Sequence, residues 1–120
     1  MILRDWIAAL FATIDRQDAE AFAGFLADDA RFAFGNLPAV AGRAAIRDFV
    51  AGFFSSIRAL SHVVPDAWQA GDAVICRGEV TYTRHDGSVL TVPFANVFRM
   101  DGDKVRDYRI YTDASALYAA

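Results

Sequence analysis

One cysteine and three prolines are all that 120 residues contain of either type. The lone thiol, Cys76, rules out an intramolecular disulfide framework and fits a reducing compartment, so a cytoplasmic location is expected. Charge of one sign is also scarce. Twelve basic residues against 15 acidic ones give a formal net charge of −3, with no basic run. That balance argues against nucleic acid or an anionic membrane as a main partner. Long apolar runs are missing too. No window approaches the ~18 residues of a membrane span, and Arg4 and Asp5 interrupt the segment where a signal peptide would be apolar. There is no Gly-rich phosphate loop, and no set of Cys, His and carboxylates has metal spacing, so neither cofactor nor metal is expected.

What the chain has in plenty is apolar surface. Hydrophobic residues make up 55%, with ten phenylalanines among them. That is more than one closed core of this size needs, and it points to an internal pocket or an oligomer face.

The C-terminal half organises the rest. Three runs rich in Val, Ile, Thr, Tyr and Phe, VICRGEVTYTR from Val74, VLTVPFANVFRM from Val89 and KVRDYRIYT from Lys104, read as long strands. Short turns at His85-Asp86-Gly87 and Asp101-Gly102-Asp103 predict an antiparallel meander. A further strand is predicted over 61–70, bent near Pro65, because proline cannot donate to a ladder.

Ahead of it, Ile2, Leu3, Trp6, Ile7, Leu10, Phe11 and Ile14 recur at helical spacing and predict a first helix ending near Arg16. Asp18 is placed to cap a short second helix over 19–27, which Asp28-Asp29 would stop. A short strand over 31–34 follows, then a third helix over about 43–57. The residues after Asp113 are expected to close as a helical turn. Three helices on one face of a curved antiparallel sheet make a single α+β domain spanning residues 1–120, shaped as a cone with one open mouth.

Three segments, DAEAFAGFLADDA from Asp18, GRAAIRDF from Gly42 and GDKVRDYRIYTD from Gly102, resemble the nuclear transport factor 2-like superfamily and its SnoaL-like group. The resemblance spans essentially the whole chain. It implies the cone, and it offers several chemistries without choosing among them. The steroid-isomerase pattern places its base on Phe34, its phenol on Phe11 and its second donor on Asn96, so proton abstraction lacks a base there. The epoxide-hydrolase pattern fits Arg77 and Glu79 but puts its second carboxylate on Ile110. The cyclase pattern of an acidic base and a histidine is offered by Glu79 and His62. A dehydratase-like set has Tyr82, Tyr108 and Tyr111 available.

Strand alternation puts Leu90, Val92, Phe94, Asn96 and Phe98 on one face, and Tyr108, Ile110 and Thr112 on another facing the same way. Asn96 is thus a polar group aimed into an apolar space. With Ile75, Arg77, Glu79 and Thr81 assigned to the pocket side of their strand, Arg77, Glu79 and Asn96 are expected to form its polar cluster. Trp6, Phe11, Phe34, Phe53, His62, Phe94 and Tyr108 complete the expected lining.

The expected ligand is a small, largely apolar molecule, aromatic or polycyclic in kind. If the protein is a catalyst, Glu79 or His62 is its acid/base, and Asn96 with Arg77 polarises an oxygen. The alternative is a non-catalytic ligand-binding or dimerisation module. A homodimer is expected through the outer sheet face, assigned to Cys76, Val80 and Tyr82, to Pro93, Ala95 and Val97, and to Val105, Arg109 and Tyr111.

Overall fold

The computed structural model describes residues 2–118. In chain order it contains α1 (Leu3–Asp15), α2 (Ala19–Ala23), β1 (Leu26–Phe34), β2 (Val40–Ala41), α3 (Arg43–Ser55), β3 (Ala59–Ala70), β4 (Ala73–Thr83), β5 (Val89–Asp101) and β6 (Lys104–Thr112), with a 3-10 turn over Ser115–Tyr118. The strands form one six-stranded sheet in the order β2-β1-β6-β5-β4-β3. Every neighbouring pair is antiparallel except β1 with β6. The helices pack on its concave face, which gives the expected α+β cone. No helix among the described residues is long and apolar enough to cross a membrane.

Helix α1 buries Ile7, Leu10, Phe11 and Ile14, spaced by three and four residues as one helical stripe requires. It stops at Arg16, and Gln17 adopts φ 57°, a left-handed conformation that turns the chain sharply. Asp18 then caps α2, its Oδ1 accepting from Ala21 N–H at 3.0 Å. Helix α2 is shorter than predicted. Leu26 and Ala27 have left it for β1, where Leu26 lies beside Val105, and the Asp28-Asp29 pair sits in a register shift of that strand. Helix α3 turns Ile46, Val50 and Phe54 into the core.

The bend near Pro65 is a register shift in β3 between Val63 and Asp66. Arg4 on α1 secures it, donating to the carbonyls of Val64 at 3.1 Å and Pro65 at 2.6 Å. Gly78 on β4 lies beneath the bend, where any Cβ would run into the Val63 carbonyl.

The expected face of β4 is reversed. Val74, Cys76, Gly78, Val80 and Tyr82 are buried, while Arg77 and Glu79 point outward. Arg77 reaches Asp66 across the outer face, Nη1 to Oδ2 at 2.5 Å, with its side chain 56% exposed. Moving both charges inside would cost far more than this solvated pairing. Val105, also expected outside, is fully buried, because a shift between Arg99 and Met100 moves the start of β6 by one residue. The outer face therefore carries Ile75, Arg77, Glu79 and Thr81 in place of Cys76, Val80 and Tyr82. Pro93, Ala95, Val97, Arg109 and Tyr111 lie there as expected.

Candidate active site

Between α1, α3 and the concave sheet lies a cavity of about 50 Å³. Its walls are aromatic. Phe11 comes from α1, Phe34 from β1, Phe53 from α3, Phe94 from β5 and Tyr108 from β6. His62 from β3 and Asn96 from β5 share that lining, with the phenols of Tyr82 and Tyr108. Trp6 stands apart from it, packed edge-on against Phe98 at 5.5 Å and Phe25 at 6.0 Å. Arg77 and Glu79, on the outer face of β4, are not brought to it.

Geometry makes His62 the centre of the site. The α1–β3 packing carries the last residue of α1, Asp15, onto the edge of its ring. Asp15 Oδ1 lies 2.6 Å from His62 Nδ1, and Oδ2 accepts from the His62 backbone N–H at 3.1 Å. One carboxylate thus fixes both the strand position and the ring. In the neutral ring, a carboxylate facing Nδ1 places the proton on that nitrogen and leaves Nε2 as the acceptor. Phe11 and Phe94 hold the ring from two sides, with centroids at 4.7 and 5.3 Å. The imidazole side chain is only 10% exposed.

Asp15 escaped the sequence reading. The sequence puts it on the same helical face as Phe11, four residues on, but carries no sign of its partner on β3.

Asn96 is 2% exposed, and its Oδ1 has no hydrogen-bond partner. A buried amide oxygen left without a donor costs roughly 1–3 kcal/mol, so the site holds an acceptor that the protein itself does not satisfy. The nearby phenols do not compete as bases. Burial pushes Tyr82 up to about 12 and Tyr108 well above its ordinary value, so both stay protonated. Cys76, beside Asn96 on the neighbouring strand, is likewise driven to about 12 by burial and is inert as a nucleophile at neutral pH. No carboxylate lines the cavity among the described residues, and none of their His, Cys, Asp and Glu side chains gather in threes to hold a metal.

The structure is thus an α+β cone with an aromatic interior and an imidazole in its wall. Family comparison is more specific: the SnoaL-like domain model matches residues 7–108, and the chain belongs to that family. No match to a curated protein was found.

Solved structures share the fold. A protein from Catenulispora acidiphila with a ketosteroid isomerase-like fold, in complex with trimethylamine, superposes with a TM-score of 0.86 at 20% identity, covering 95% of this chain and 89% of that one. A SnoaL-like polyketide cyclase, so described, from Jannaschia gives 0.82 at 22% identity, covering 98% and 90%. TerC, co-crystallised with polyporic acid, gives 0.82 at 20% identity, covering 97% and 95%. At these identities the likeness is one of fold.

Proposed function

We propose that this cavity binds the buried end of a small, largely apolar, aromatic or polycyclic molecule and performs acid–base chemistry on it. His62 Nε2 is the base that takes a proton from the substrate and returns it. Asp15 is the positioning residue that fixes the ring. The Asn96 amide holds a substrate oxygen. The carrying observation is the 2.6 Å Asp15–His62 contact in the wall of an aromatic cavity. A histidine held by a carboxylate at one nitrogen has its other nitrogen prepared for proton transfer. Glu79, the other sequence candidate, is too far round the sheet to take part.

A histidine turned to solvent would have favoured the non-catalytic alternative; His62 instead lines the cavity, with its side chain 10% exposed. The trimethylamine and polyporic acid held by two fold relatives are consistent with a small-molecule site in such a cone. Its setting in this reading is the cytoplasm, where Cys76 stays reduced, and its working form is a homodimer through the outer sheet face.

A thermal-shift screen of steroid, polyketide and terpene-epoxide panels tests the proposal. At least one compound is expected to stabilise the protein and to be converted. His62→Gln should then lower turnover by about 10²–10⁴-fold while the compound still binds. Asp15→Asn should lower it less and alter the pH profile. Turnover untouched by His62→Gln would overturn the assignment.

A further inference from the structure

The inner cavity is too small for the ligand just proposed. A dry apolar cavity of about 150 Å³ is what accommodates one benzene ring, and this one has about 50 Å³. Immediately outside it lies a second, larger space of about 980 Å³, between α3, the end of β1 and the C-terminal 3-10 turn. Phe34 and Phe53 line both spaces. Their rings stand 5.3 Å apart at 44°, forming the wall between inner cavity and outer groove. The groove is aromatic and aliphatic on one side, with Phe49, Leu37 and Leu117, and its charged residues, Asp48 and Asp113, are both acidic.

Inside, Asn96 Oδ1 is an unpartnered acceptor at 2% exposure, and His62 shares its cavity with the phenols of Tyr82 and Tyr108. We infer that the ligand is bipartite: an uncharged, elongated aryl molecule whose hydroxyl end enters the inner cavity beside His62 and Asn96, whose ring rests against Phe34 and Phe53 at the boundary of the two spaces, and whose body fills the outer groove.

This inference rests on the reading of His62 and Asn96 as the polar end of the site, and it adds the shape and donor character of what binds there. It also explains why a fold so rich in phenylalanine leaves Gly52 in the last turn of α3. Nothing lies within 4 Å of a Cβ built at Gly52, which opens into the groove. Glycine there weakens the helix, and it leaves the groove its width.

Three probes separate the parts: phenol, biphenyl and 4-phenylphenol, titrated into the intact protein by calorimetry while the His62 ring resonances are followed by NMR. In the wild type 4-phenylphenol is expected to bind about tenfold or more tighter than phenol, since a second ring is buried, and tighter than biphenyl, which lacks the donor. Gly52→Phe fills the groove and should erase the advantage over phenol while leaving phenol binding intact. Gly52→Ala, which only strengthens the helix, should preserve it.

Equal affinity for the two phenols, with phenol still shifting His62, would overturn the bipartite ligand and leave the His62 site standing. Loss of phenol and 4-phenylphenol alike in Gly52→Phe would also overturn it. If neither phenol perturbs the His62 ring, both readings fall.

Discussion

Asp15 and His62 stand 47 residues apart in the chain and are joined twice, through the backbone N–H and the ring Nδ1 of the histidine. The carboxylate therefore docks helix α1 onto β3 as well as setting the ring. Asp15→Ala leaves a half-buried N–H and a ring nitrogen without their acceptor. A loss of about 1–2 kcal/mol in unfolding free energy is expected, since Asp15 is partly solvated. Urea titration followed by circular dichroism measures it, and no change in midpoint would mean that water replaces the carboxylate without loss.

Asn96 should show the opposite balance. Asn96→Leu removes an amide oxygen that has no partner and puts an apolar side chain in an aromatic setting. The variant is expected to gain about 1 kcal/mol in stability and to lose ligand binding. A less stable variant would show that the amide is satisfied in solution.

Gly78 sits directly under the β3 bend. Gly78→Ala has to push β3 away from β4 or flatten the bend, and an overpacked core position of this kind costs about 1–3 kcal/mol or more. Differential scanning calorimetry should show a clear fall in Tm. An unchanged Tm would mean that the bend relaxes freely.

The outer sheet face leaves Val63 67%, Trp68 52% and Tyr111 57% exposed, an apolar set of the kind that marks an interface. Val97→Glu, in the centre of that face, is expected to convert a dimer into a single chain of 13.1 kDa on sedimentation at micromolar concentration. A wild type already sedimenting as one chain removes the dimer.

Alkali should destabilise the fold through buried acids. Burial raises the Cys76 thiol from 9.0 to about 12 and the Tyr82 phenol from 10.0 to about 12. Both folded values exceed the unfolded ones. Their contribution is thus complete below about pH 9 and is lost as pH climbs toward 12. Cys76→Ala should blunt the fall in urea midpoint between about pH 8 and pH 10.5. An undiminished fall would assign it elsewhere.

The cone was legible because its evidence is periodic: the α1 stripe, the three β-rich runs and the short turns each carry their own spacing. On β5 the apolar alternation runs through Phe94, Asn96 and Phe98, and its inner face reads directly. On β4 two alternate sets compete. One holds Arg77 and Glu79, the other Cys76, Gly78, Val80 and Tyr82. Expecting a polar pocket favoured the first, whereas the cost of burying two charges decides for the second. Val105 was misplaced for another reason, since a one-residue bulge leaves no mark in hydrophobic pattern. Asp15 was hidden because its partner comes from a strand 47 residues away, and only tertiary packing brings them together.

The parallel pairing of β1 with β6 also governs the order in which the molecule can form. Until Lys104–Thr112 has been synthesised, β1 has only the two-residue β2 beside it. Its core-facing Leu26, Ala30 and Phe32 then lack the far half of their surroundings, and one strand edge stands open. The N-terminal helices meanwhile wait for β3 to β6, the four strands that follow them in the sequence. The pairing of β1 with β6 therefore closes backwards onto chain made earlier, a contact of long sequence separation of the kind that slows folding. A ribosome-bound chain stopped before β6 would present its aromatic interior to the chaperones instead of to a ligand.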